Sequence, residues 1–363
     1  MNVPFVFQIM EPVERTSFVA QLDELAARVD AWLHPVGGQQ LRLVQARVYL
    51  SDIANWMPAL TAHPLYAACL SQAAVSVVGQ PPLGGAKVAL QLCALPAASS
   101  AARREGDVFV FESGNVTFLW QSVRFSAADV AGLDVAAQTR LAFSRHVQVL
   151  ARRGWTLAGQ CLRTWLYVRD IDRNYAGVVA GRNAVFAEEG LTRATHFIAS
   201  TGIGGETDEA AAVVAVDFLS AAGPGLGPVT YLQAPDYLNP TYEYGVAFER
   251  ATAVGFDWGR MILLSGTASI DKTGACVHRG DVLTQTGRLL LNMEKLLEAG
   301  GASLSDLLYI VVYLRDVSDT AAVSRYMSLR FPRLPVLITE GRVCRPEWLV
   351  EMEGVAAVPV PAG

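Results

Sequence analysis

One short pattern occurs three times in this chain and restricts its fold more than any other feature. ARVYLSDI at 46–53, LYVRDI at 166–171 and VVYLRDV at 311–317 each read as an apolar strand running into an aspartate, a residue type that can cap a following helix. Tyr49, Tyr167 and Tyr313 hold one register, and Asp52, Asp170 and Asp316 hold the next. The likeness continues forwards in every copy. VVGQPPLGGAKVALQLCAL (77–95), IASTGIGGETDEAAAVVAVDFL (198–219) and ITEGRVCRPEWLVEMEGVA (338–356) each give a strand, a glycine-rich loop and a closing strand. Backwards, LDVAAQTRLAFSRHVQVLARRG (133–154) matches GDVLTQTGRLLLNMEKLLEAGG (280–301) as a long amphipathic helix, and VFVFESGN (108–115) resembles MILLSGTAS (261–269). The first copy has a weaker front half, with TSFVAQLDELAARVDAWL (16–33) as its helix.

A repeat of this kind decides the architecture. We expect an α+β fold of three modules, each a mixed sheet covered by helices, over 1–100, 101–225 and 226–363. The connectors are read at PAASSAARREG and AAGPGLGP, whose small, Gly and Pro residues suit turns. At 363 residues the chain is long enough for this division.

Composition narrows the function. The chain is 52% hydrophobic, yet no apolar run reaches the length of a membrane span, so no membrane partner is expected. A net charge of −5 without basic blocks excludes the electrostatic footprint of a nucleic-acid binder. MNVPFVFQIMEPVER lacks the basic start and apolar core of a secretory signal, and a cytoplasmic location follows as the expectation. Five cysteines, widely spaced and odd in number, fit reduced thiols rather than a disulfide framework, and the five histidines show no zinc-binding spacing. No metal and no cofactor are expected.

The repeat also supplies an internal control. In the closing strands Ala89, Ala215 and Glu351 correspond, as do Gln91, Asp217 and Glu353. Polarity at the second position is shared by all modules and reads as structural. A carboxylate at a position where two copies keep alanine is a candidate functional group, because burying it raises its pKa and suits it to donate a proton. The alternative is a half-exposed strand with Glu351 in solvent. Cys344 lies between Arg342 and Arg345. Neighbouring cations would lower its thiol pKa, and a small buried hydrophobe is the other reading.

The repeated VYLxD strand, the SG turn and the closing VEME strand resemble the RidA (YjgF) family, whose members are homotrimers with ligand pockets between subunits. Three copies in one chain imply a pseudo-trimer, a monomer or weak homo-oligomer. RTWLYVRDI (163–171) with Tyr175 and Arg182, ASTGIGGE (199–206), SGTASID (265–271) and CRPEWLVEMEG (344–354) together resemble the chorismatase family over roughly 105–358. Val178-Val179 depart from the Phe-Asn that family members usually carry between Tyr175 and Arg182. The resemblance implies a cofactor-free enzyme acting on chorismate, with Glu351 as the acid that protonates the enol ether and releases pyruvate. Cys344 matches the members that form 3-hydroxybenzoate. For the substrate it implies Arg345, Arg163 and Arg182 at the carboxylates, Ser265, Gly266 and Thr267 in an orienting turn, and Tyr231, Tyr244 and Gly245 near the third module's start. Hydrolysis to a dihydroxycyclohexadienoate, a mixture with 4-hydroxybenzoate, a RidA-like imine deaminase and a non-catalytic binding module remain open alternatives.

Overall fold

The structure is a computed structural model describing residues 3–360, except for the side chain of Tyr244. Among the described residues, its strands form three mixed sheets. The first contains β1 (Val6–Met10), β2 (Leu41–Leu50), β3 (Ala74–Gly79) and β4 (Val88–Pro96). The second contains β5 (Ser100–Glu105), β6 (Val108–Ser113), β7 (Val116–Val123), β8 (Cys161–Val168), β9 (Ala199–Gly204) and β10 (Val214–Ala222). The third contains β11 (Leu226–Leu232), β12 (Ala251–Phe256), β13 (Gly259–Ala268), β14 (Leu307–Leu314), β15 (Val336–Glu340) and β16 (Val350–Pro359).

The orders β5-β6-β7-β10-β8-β9 and β11-β12-β13-β16-β14-β15 are the same, and β1-β4-β2-β3 repeats their last four places. The weak front half of the first copy is therefore a missing pair of strands. Three RidA-like modules lie in one chain. Each central strand is buried on both faces: every residue of LVQARVYL from Leu43 is buried, and LLYIVVYL of β14 is nearly so. Such continuous burial suits strands that lie inside a covered sheet.

Helices of complementary pattern close the sheets. Val282–Ala299 buries Val282, Gln285, Thr286, Leu289, Leu290, Met293, Leu296 and Leu297, a stripe at helical spacing. Asp281 caps it by accepting from the Thr284 N–H at 3.0 Å, and Asp134 does the same for Val135–Ala151. One side chain ties each covering helix to its closing strand. Gln21, Gln138 and Gln285 accept the backbone N–H of Lys87, Val213 and Leu349 at 2.8, 2.8 and 2.9 Å. No described helix is long and apolar enough to cross a membrane.

Several sequence expectations need correction. Asp52 accepts from Asn55 N–H and Asp316 from Ser318 N–H, but Asp170 adopts φ 44° and makes no side-chain cap. Its backbone turns through the left-handed region, whereas Asp52 and Asp316 are extended. Ser100–Glu105, read as part of a connector, is an edge strand paired with β6. Small and charged residues serve an exposed edge as well as they serve a loop. VFVFESGN lies on β6 and its turn, whereas MILLSGTAS lies on β13, whose true counterpart in sheet order is β7. An apolar run followed by Ser-Gly does not specify its place in a sheet.

The modules close on one another in a ring. Short bridges join Gly79 to Glu206, Ile203 to Val343 and Pro82 to Thr339. Each module thus touches the other two.

Candidate active site

The pairing register bears directly on Glu351. Across the central strands, Tyr49 faces Ala89, Tyr167 faces Ala215 and Tyr313 faces Glu351. Two positions further along, Arg47 faces Gln91, Trp165 faces Asp217 and Val311 faces Glu353. Glu351 therefore occupies the slot that alanine fills in both sister modules, and Glu353 the slot that is polar in all three.

The shared polar positions converge where the modules meet. Glu353 accepts from Arg163 Nη2 at 2.8 Å, Trp165 Nε1 at 2.9 Å, Tyr313 Oη at 3.1 Å and the Thr201 hydroxyl. Arg47 lies 3.5 Å from Glu353 and 3.6 Å from Asp217, and Tyr49 donates to Gln91 at 2.9 Å. Buried charges persist only when paired in this way.

Glu351 looks into a narrow cavity of about 40 Å³ between the second and third modules. The second module supplies Tyr175 and Arg182 from helix Ile171–Glu188 and Ser200 and Gly202 from β9. The third supplies Phe248, Arg250, Gly266, Cys344, Arg345 and Trp348. A bulge shapes this wall: the β13–β16 register shifts between Leu264 and Thr267, while the corresponding β7–β10 pairing shows no shift. Bulges re-aim strands beside sites. Here the bulge carries Gly266, where an added Cβ would lie only 2.1 Å from Glu351 Oε1. Glycine is what lets the carboxyl lie against the backbone.

Burial is the main reason that the Glu351 carboxyl is pushed up to about 8. The charge of Glu353 raises it further, and Arg163 and Arg250 oppose both. At neutral pH it holds a proton. Cys344 behaves differently from the sequence expectation. Its sulfur is partly accessible and lines the cavity, yet burial, with Glu351 nearby, pushes the thiol up to about 12. The Tyr175 hydrogen bond and the Arg345 charge only partly offset this. It is a neutral thiol, because desolvation outweighs the neighbouring cation.

Of the other candidates, Arg182, Arg345 and Gly266 line the cavity with Glu351 and Cys344. Arg163 does not. It is 2% exposed and donates to Glu353, Thr201, Thr164 O and Leu264 O, so its place is behind Glu351. Ser265 is fully buried, donating to Glu249 O at 2.6 Å and accepting from Ser200 N–H at 2.9 Å. The Thr267 hydroxyl is spent on Ser265 O. Both hold the bulge rather than face the cavity. Tyr231 stacks on His196 at 4.4 Å, outside the cavity lining. Gly245 closes a short 3-10 turn at φ 80°, a backbone conformation that favours glycine, and does not line the cavity. The Tyr244 side chain lies outside the described residues.

Sequence reasoning missed Arg250, Phe248, Ser200 and Trp348. Arg250 precedes β12, is 5% exposed and donates to Asn239 O at 2.9 Å. No repeat marks it. Val178 points into the second module's core and neither it nor Val179 lines the cavity. Among the described residues, no group of three or more His, Cys, Asp or Glu side chains converges as a metal site would need.

Comparisons with known proteins agree with this architecture. The pattern of the endoribonuclease L-PSP family matches residues 248–358. A RutC family protein of Pyrococcus abyssi is 33% identical over 100 residues, which are 27% of this chain and 79% of that protein. The 3-aminoacrylate deaminase RutC of Acinetobacter baylyi is 29% identical over 100 residues, with the same shares. A chorismatase crystal structure superposes with a TM-score of 0.68 at 20% identity, covering 97% of this chain and 98% of that one. The three-module arrangement matches that chorismatase's fold. With 33% of 100 aligned residues identical across 79% of the Pyrococcus protein, this chain belongs to the RutC family, within the RidA/YjgF-like superfamily.

Proposed function

We propose that this protein is a chorismatase that converts chorismate to 3-hydroxybenzoate and pyruvate. The observation that carries the reading is the buried Glu351 carboxyl, whose burial favours the protonated form, in a cavity edged by Arg182, Arg250 and Arg345. Chorismate is a dianion with a ring carboxylate and an enolpyruvyl carboxylate. Guanidinium groups match carboxylates in charge and fork geometry. The enol ether between them reacts only when its methylene carbon is protonated, and Glu351 is the acid.

Proton transfer leaves a Glu351 carboxylate and an oxocarbenium ion. The departing pyruvate then needs a carbonyl oxygen. Water supplies it in hydrolysis to the diene diol. When the ring aromatises, the substrate's own 4-hydroxyl oxygen bonds the oxocarbenium carbon and breaks its bond to the ring. The ether oxygen stays on the ring, loses its bond to the pyruvyl carbon and takes the hydroxyl's proton as the phenol, so no net water is consumed. Aromatisation also removes a ring proton, which returns to Glu351. Cys344, a neutral thiol hydrogen-bonded to Tyr175, occupies space that a water would otherwise fill and relays that proton. Both effects favour the aromatic product.

Incubation with chorismate, with pyruvate and aromatic products quantified, tests the reading; no pyruvate would remove it. The 3-aminoacrylate deaminase relative favours one competing reaction, in which a cavity arginine holds an enamine acid. That reaction would release ammonia and leave chorismate intact.

A further inference from the structure

Glu353 is 1% exposed and does not line the cavity, so no substrate reaches it. Its partners come from all three modules: Arg47 from the first, Arg163, Trp165 and Thr201 from the second, and Tyr313 from the third. It accepts at its two oxygens from groups that include the Arg163 guanidinium and an indole N–H, which can only donate, and it pairs with the Arg47 guanidinium at 3.5 Å. That environment suits a carboxylate. Glu351 and Glu353 project from the same face of β16, two residues apart. Thr201 lies near both: its hydroxyl bonds Glu353, and a Cβ added at Gly266 would lie 3.3 Å from its methyl and 2.9 Å from Glu351 Cδ.

We propose that Glu353 is a positioning residue whose fixed charge, locked below the cavity floor by all three modules, keeps the proton on Glu351. The groups facing Glu351 are Glu353 on its own strand, Tyr313 across on β14, Arg163 from β8, and Tyr175, Arg182, Arg250, Cys344 and Arg345 around the cavity. Of these, Glu353 is the one carboxylate besides Glu351, and it opposes the pull of Arg163 and Arg250 on the Glu351 proton. The degenerate first module takes part through Arg47, which helps anchor that charge without touching the cavity. Sister modules show why the arrangement is particular to this interface: Asp217 sits at the equivalent position, but the slot beside it holds Ala215, which has no proton to retain.

The assignment rests on Glu351 being the acid, so the test reads Glu351 without substrate. The full chain is labelled with carboxyl-carbon-enriched glutamate and titrated by NMR, with Glu351→Gln identifying one signal and Glu353→Gln the other. In the wild-type protein the Glu351 signal should titrate at about 8. In Glu353→Gln the Glu351 midpoint should fall by about one pH unit or more, a tenfold weaker hold on its proton, and Glu353→Asp should restore most of it. With chorismate, kcat of Glu353→Gln should drop at neutral pH and recover in acid, with KM little changed. An unchanged Glu351 midpoint overturns the proposal. So do two wild-type signals that move together, a comparison that needs only Glu351→Gln, and not Glu353→Gln, to fold. Absence of turnover in the wild-type protein would remove the chorismatase reading and leave the titration result standing.

Discussion

Two interfaces of the same ring have opposite contents. Between the second and third modules, Glu351 on β16 faces Ala268 on β13, and a cavity opens beside them. At the first–second interface the residues are exchanged. Ala215 occupies the β10 position, and Arg124, one step past the Val123–Val216 pair, holds the opposing place. Arg124 donates to Asp217 at 3.0 Å and to Ser76 at 2.7 Å, spanning the two modules. The backbone scaffold is shared. Moving the large charged residue from one strand of the pair to the other, and adding the Gly266 bulge, separates a strut from a site.

The largest expected effect is on Glu351→Gln. It should lower pyruvate release from chorismate by about 10²- to 10⁴-fold, the range for loss of a general acid. The same change should raise stability above the wild type near neutral pH. Because the folded-state pKa is raised to about 8, the folded chain holds a proton that the unfolded chain releases, so wild-type stability falls as pH rises from the ordinary carboxylate range to about 8. Denaturant melts of both proteins across this window check the sign.

Arg124→Ala sharpens the other side. It removes one of the two guanidinium partners of the buried Asp217, leaving Arg47 at 3.6 Å and the Ser76 hydroxyl, and should cost about 1.5 kcal/mol in urea unfolding, with chorismate turnover at low temperature retained because the Glu351 cavity lies at the other interface. Next is Gly266→Ala. Its methyl must displace the Glu351 carboxyl, and kcat should fall about tenfold, a misplacement effect, while the melting temperature changes little. The smallest effect is that of Cys344→Ala. It should shift the product from 3-hydroxybenzoate towards the diene diol with total pyruvate within a factor of about three, less than the tenfold that 1.4 kcal/mol would give; chromatographic product ratios measure it.

Much of the fold was legible because the repeat encodes it. The strand-Tyr-Asp pattern and the covering helices follow from periodicity, and aligning the copies correctly placed Glu351 against two alanines. The edge strand Ser100–Glu105 was not legible, since its exposed face needs no apolar alternation. Nor was the β7–β13 correspondence, because the third module's bulge disrupts the very segment being compared. At the site, the comparison of copies singled out Glu351, and the family resemblance named Cys344, Arg345 and Gly266, which line the cavity with it. Arg250 and Phe248 escaped because their place in the cavity depends on how the segment before β12 docks against the second module. Arg163 misled for the same reason: its partner Glu353 is 190 residues away in sequence.

The most direct test follows pyruvate release from chorismate across pH for the wild-type protein and Glu351→Gln. A general acid held to about 8 predicts a wild-type rate that is level on the acid side and falls above that pH, with Glu351→Gln low throughout. Wild-type release that persists undiminished well into alkaline pH, or a Glu351→Gln variant that turns over at the wild-type rate, would contradict the account.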